Sequence, residues 1–138
     1  MHKPRLVEEG GRPVLVVDDD PFIREVVAEL LDEEGFAVAT ADDGAEALRF
    51  VATVVPSVIL LDMDMPIVDG REFAARYREM PGPRAPIVVI TAAYDARLAA
   101  EEIGAQGHLA KPFQVDALVS MVRRLGGRRT SERPCSAA

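Results

Sequence analysis

The chain has 138 residues, 49% of them hydrophobic, and a formal net charge of −7. That is one ordinary globular domain, apolar enough for a real core, which excludes a wholly disordered chain. No apolar run nears the roughly 20 residues that cross a bilayer, so no membrane insertion is expected, and the acidic balance argues against direct nucleic-acid binding.

Met1 to Arg12 is charged, contains Pro4 and lacks the apolar segment of a signal peptide; it reads as an N-terminal extension. Val14 to Val17 is a continuous apolar run rich in β-branched residues, the pattern of a strand buried on both faces. Asp18, Asp19 and Asp20 follow, then Pro21, a good first-turn residue, with Asp20 as the helix cap. Phe22, Ile23, Val26, Val27, Leu30 and Leu31 recur at helical spacing up to a stop at Gly35. Phe36 to Thr40 is a weaker second strand. Asp43 and Glu46 have cap-and-acid spacing before the apolar Ala47, Leu48 and Val51.

Val58 to Leu61 predicts a third buried strand, ending in Asp62. Asp69 is an N-cap candidate with Glu72 three residues on, and Val68 and Phe73 are placed for a hydrophobic staple. Ile87 to Ile90 predicts a fourth strand, ending in Thr91. A helix over Ala96 to Ile103 should close at Gly104 in the left-handed region. His108 to Ala110 is a short fifth strand, followed at once by Lys111. Val115, Leu118, Val119, Val122 and Leu125 form the last apolar stripe, closed by Gly126 and Gly127. Beyond it, Arg128, Arg129 and Arg133 sit in a polar stretch with the single Cys135, which leaves no internal disulfide and points to a reducing cytoplasm.

Strand and helix therefore alternate five times, which predicts an α/β fold. Its form would be a doubly wound parallel sheet in the order 2-1-3-4-5, over residues 13–126, with a disordered tail at 127–138 and no output domain. Ligands of such sheets bind beyond the carboxyl ends of the strands, where the strand order reverses. Asp18, Asp19, Asp62, Thr91 and Lys111 all follow strands at that edge. Clustered carboxylates repel unless a cation compensates, and Mg²⁺ prefers one or two carboxylates with waters and a phosphate oxygen. A carboxylate beside such an ion can attack phosphorus and form an aspartyl phosphate. A lysine ammonium and a threonine hydroxyl are the groups that phosphoryl transfer needs around it.

Val16-Val17-Asp18-Asp19-Asp20-Pro21, Leu61-Asp62-Met63-Asp64-Met65-Pro66 with Asp69-Gly70, Ile90-Thr91-Ala92 and Lys111-Pro112-Phe113 resemble the receiver domains of bacterial two-component response regulators. The resemblance runs from about residue 13 to 125 and implies the flavodoxin-like (βα)5 fold. It implies Asp62 as phosphoacceptor, with Mg²⁺ held by Asp18, Asp19, Asp62 and the backbone carbonyl of Asp64. It further implies Thr91 as the switch hydroxyl, Lys111 as the phosphate-binding lysine and a cis Lys111-Pro112 peptide. The implied donor is a sensor histidine kinase or histidine phosphotransfer protein. Output would be a downstream protein bound through the face of the fourth helix, fifth strand and fifth helix, with a homodimer through that face also open. Such a domain is a signalling switch rather than an enzyme acting on metabolites.

His108 departs from the family pattern, which often has an aromatic residue there that moves as the hydroxyl swings. An imidazole in that slot would make its coupling to Thr91 sensitive to pH near neutrality, whereas a half-exposed surface histidine would do nothing. The sequence leaves open a stand-alone switch, a relay shuttle between two histidines or a receiver cut from a larger regulator. Two other readings compete. Asp62-Met63-Asp64 also matches the Asp-x-Asp nucleophile motif of haloacid-dehalogenase-type phosphatases, but here the extra acids precede Asp62 and the fourth strand gives Thr91. A degenerate receiver that serves only for docking would not need the intact set of five polar residues.

Overall fold

The structure is a computed structural model and describes residues 12–63, 65, 69–92 and 96–126. Five strands, β1 (Val14–Val17), β2 (Val38–Ala41), β3 (Val58–Asp62), β4 (Ile87–Thr91) and β5 (Gly107–Ala110), alternate with five helices. The helices are α1 (Pro21–Glu33), α2 (Gly44–Val51), α3 (Gly70–Glu79), α4 (Ala96–Ile103) and α5 (Val115–Gly126). The sheet is parallel throughout, in the order β2-β1-β3-β4-β5. This is the doubly wound, flavodoxin-like arrangement expected from the alternation.

The period-two pleat sorts the strand residues between two cores. Leu15, Val17, Ile59, Leu61 and Val89 pack with Ala47 of α2, Phe73 and Tyr77 of α3, and Ala100 and Ile103 of α4. Val14, Val16, Val58, Leu60 and Val88 pack on the other face with Val27 and Leu31 of α1, and Leu118 and Val122 of α5. Each fully buried Leu or Val contributes about 1.5–3 kcal/mol, which is why three strands can afford no polar residue before their last position.

Local signals set the helix ends. Asp20 caps α1, accepting hydrogen bonds from the Phe22 and Ile23 amides at 2.9 and 3.4 Å. Asp43 caps α2 and Asp69 caps α3, each accepting from the amide three residues on, at 2.7 and 2.9 Å. Gly35 and Gly104 follow α1 and α4 with φ of 96° and 72°, in the left-handed region.

Two strand starts differ from expectation. The second strand begins at Val38 rather than Phe36, because the Phe36 amide still bonds Leu31 of α1 at 3.1 Å and its ring lies beneath the Arg123 guanidinium, 5.5 Å from the ring centre. The fifth strand begins at Gly107 rather than His108, whereas the third and fourth end in Asp62 and Thr91 as expected. α5 ends at Gly126, its last described residue and one of the two glycines expected to close it. A Cβ there would lie 2.7 Å from the Ser57 carbonyl oxygen and 3.0 Å from Val58 Cβ, so the glycine lets α5 close onto the start of β3. Val68, Gly127 and the tail lie outside the described residues.

Gly126→Ala therefore sets a gain in helix propensity of up to about 1 kcal/mol against a backbone clash that costs roughly 1–3 kcal/mol. A net loss of stability is expected, read as a lower urea midpoint at unchanged slope. A midpoint equal to wild type would mean that α5 shifts freely off β3.

Candidate functional site

The strand register builds the site. Val17 pairs with Leu61, so Asp18 and Asp62 are the next step of the β1–β3 ladder. Asp62 pairs with Ile90, which places Thr91 one step beyond, and Thr91 pairs with Ala110, which places Lys111 one step beyond again. Ladder hydrogen bonds continue into the polar residues: Asp18 donates to the Ala41 carbonyl at 3.2 Å and Lys111 to the Thr91 carbonyl at 2.9 Å.

Pleat parity then aims the side chains. Asp18, Asp62 and Lys111 are each two residues past a member of the α1/α5 core: Val16, Leu60 and Leu109. All three thus project to the same face. Lys111 Nζ lies 3.3 Å from Asp18 Oδ2 and 3.6 Å from Asp62 Oδ1. Among the described residues, the buried polar side chains are Asp18, Asp62 and Thr91, at 4%, 2% and 1% exposure. Every one of them stands at this edge.

Asp19 completes the group from the exposed side. Carboxylate oxygens of Asp18, Asp19 and Asp62 all lie within 4.8 Å of one another. Burial alone would lower the Lys111 pKa, but the Asp62 and Asp18 charges and their hydrogen bonds outweigh it and the ammonium is held above its usual range. One ammonium cannot balance three carboxylates, so excess negative charge remains where a hard divalent cation with oxygen ligands fits. The residues present suit Mg²⁺: hard oxygen donors from two buried carboxylates and one exposed one.

The Lys111-Pro112 peptide is cis, as the resemblance implied. Asp64, the expected carbonyl ligand, and Ala93 lie outside the described residues. His108 is exposed on β5, paired in register with Val89. One residue of the site had no role in the sequence reading. Arg24 Nη1 donates to the Asp18 carbonyl oxygen at 2.8 Å. Its helical position, between Ile23 and Val27 of the buried stripe, carries no signal beyond a charge at the stripe's margin.

The family model of the response regulator receiver domain matches residues 14–123. The chain belongs to this family. The transcriptional regulatory protein PrrA of Mycobacterium tuberculosis is 42% identical over 120 residues, covering 86% of this chain and 51% of PrrA. The chain thus spans about half the length of the curated relatives it matches. Among solved structures, response regulator TrrA of Thermotoga maritima, in complex with Mg²⁺ and BeF, superposes with a TM-score of 0.74 at 35% identity, covering 83% of this chain and 98% of TrrA. The receiver domain of sensor histidine kinase PA1611 of Pseudomonas aeruginosa, with magnesium in its active-site cleft, gives 0.76 at 30% identity, covering 85% and 98%. The receiver domain is a module of two-component signalling, and the hydrolase reading of Asp62-Met63-Asp64 has no support left.

The charge imbalance has a direct consequence in metal-free buffer. Asp19→Asn removes one of three crowded negative charges and should raise the melting temperature in EDTA. Lys111→Met leaves Asp18 and Asp62 buried without their cation and should lower stability by about 3 kcal/mol. A fall in melting temperature for Asp19→Asn would mean that the three carboxylates do not repel one another in solution.

Proposed function

We propose that this receiver domain, taken as residues 13–126, accepts a phosphoryl group on Asp62 from a phosphohistidine and switches a protein-binding face in response. The observation that carries this reading is the convergence of Asp18, Asp19 and Asp62 within 4.8 Å, with Lys111 bridging two of them. Asp18, Asp19 and Asp62 would hold Mg²⁺, with the Asp64 carbonyl as a fourth protein ligand. When bound, the ion supplies positive charge to the transferring phosphoryl oxygens and offsets the repulsion between them and the carboxylates.

Asp62 acts as nucleophile: one of its oxygens bonds to phosphorus as the phosphorus–nitrogen bond to the donor imidazole breaks, and the nitrogen leaves with the bonding pair and takes up a proton. Lys111 contributes a fixed ammonium beside Asp62, aimed at the oxygens where negative charge accumulates. Thr91, one ladder step from Asp62 on the neighbouring strand, is the hydroxyl that donates to a phosphoryl oxygen and moves its loop in doing so. Added charge in a buried pocket is converted this way into a shift of the face built by α4, β5 and α5. The donor would be a sensor histidine kinase or a histidine phosphotransfer protein, and the receptor a protein partner on that face. Among the described residues no helix is long and apolar enough to cross a membrane, in keeping with a cytoplasmic site of action.

Incubation with Mg²⁺ and acetyl phosphate, followed by intact mass spectrometry, should add about 80 Da to the wild type and nothing to Asp62→Asn or to an EDTA-treated sample. A folded wild type that gains no mass would move the function to docking that needs no phosphate. In the same buffers Mg²⁺ at ten times its dissociation constant should stabilise the wild type by about 1.4 kcal/mol.

A further inference from the structure

We infer that Arg24 is a positioning residue for the metal carboxylates, acting through the backbone of Asp18; the inference rests on the proposed Mg²⁺ site. Three hydrogen bonds close a ring around the turn that leaves β1. The Asp20 amide donates to Asp18 Oδ1 at 2.9 Å, the Arg24 amide donates to the Asp20 carbonyl at 2.9 Å, and Arg24 Nη1 returns to the Asp18 carbonyl at 2.8 Å. Asp19 is the residue enclosed between the two anchored ends.

Each bond has its own physical reason. The Asp18 carbonyl belongs to a residue only 4% exposed at the end of a strand, where a buried acceptor without a partner is costly. The guanidinium reaches it from the first turns of α1, whose own start is fixed by the Asp20 cap. Asp18 is thereby held at four points: its amide by Ala41, its carbonyl by Arg24, one carboxylate oxygen by the Asp20 amide and the other by Lys111. Its remaining lone pairs, and the Asp19 carboxylate one residue on, are presented from a turn with little freedom to rotate. A site that closes on a small octahedral ion depends on such outer support, because misplacing one ligand costs binding.

Arg24 is also a cation near an anionic site, and this second effect has the opposite sign. If its charge were what mattered, removing it would strengthen Mg²⁺ binding by relieving competition. If it positions Asp18 and Asp19, removing it weakens binding even though the local potential becomes more negative. The sign of the change separates the two roles.

The test is Mg²⁺ titration of the full chain by isothermal calorimetry for wild type, Arg24→Gln and Arg24→Lys, paired with amide hydrogen exchange at Asp20 in EDTA. Arg24→Gln should raise the Mg²⁺ dissociation constant about tenfold and speed exchange at Asp20, where the ring opens. Arg24→Lys keeps the charge but loses the planar fork, and should fall between the two. A purely structural role would lower the melting temperature and leave the dissociation constant unchanged, which overturns the inference. Tighter binding by Arg24→Gln, or Asp20 exchange equal to wild type, overturns it as well. A wild type that binds no Mg²⁺ would refute the metal site itself, and Arg24 with it, whereas wild-type binding with an unaltered variant refutes Arg24 alone.

Discussion

Two carboxylates, Asp18 and Asp62, are buried side by side on adjacent parallel strands, and one ammonium lies within 3.6 Å of both. Burying like charges in contact is unfavourable by several kcal/mol unless cations compensate, so the arrangement constrains the rest of the fold. Lys111 must arrive on the same face as both acids, which requires β5 to reach the edge with the correct parity. The Leu109 side chain, anchored in the α1/α5 core, sets that parity. A one-residue slip of β5 against β4 would turn Lys111 to the opposite face and leave both acids uncompensated.

The close packing of helices onto the sheet serves the same end. Gly70, at the start of α3, lies so near the residue after Asp62 that a Cβ would meet Met63 Cα at 2.9 Å and its sulfur at 2.5 Å. Gly126 brings the end of α5 onto the opposite end of β3. The strand that carries Asp62 is thus pinned by a glycine contact at each end. Its interior, from Val58 to Leu61, is wholly apolar and buried on both faces. A rigid strand with one polar terminus is the element on which a nucleophile can be held against its neighbours.

Fold and site were legible in the sequence to different depths. Runs such as Val14–Val17 and Ile87–Ile90 are read easily because burial on both faces forbids polar residues, and the strand ends then mark themselves by the first polar side chain. Strand order followed from the alternation, and the convergence of Asp18, Asp62, Thr91 and Lys111 was then read from that order. Phe36 was misread as strand because its apolar ring serves packing against α5 while its backbone still belongs to the end of α1. The contact of Gly126 with β3 was not legible, because a glycine that ends a helix and one that admits a neighbouring backbone look alike in one dimension. Arg24 went unseen for a related reason: its function lies in a bond to a main-chain carbonyl, and main-chain acceptors leave no mark in a sequence.

On the proposed reading, the electrostatic state of the pocket bears directly on how the domain would switch. Among the described residues, three acids against Lys111 and the nearby Arg24 guanidinium leave the site net negative, which neither burial nor the sheet can remove. It is therefore stable only as far as its scaffold forces it to be, and any added cation relieves it. On the proposed reading a phosphoryl group then brings new negative charge into a pocket already balanced on a divalent ion. The response left to the protein is local: Lys111 and Thr91 must redistribute toward the new oxygens, because Asp18 is held by its amide, its carbonyl and its carboxylate and cannot follow. On that reading, charge added at Asp62 would bear first on Thr91 and Lys111, which lead from β4 and β5 into the proposed output face.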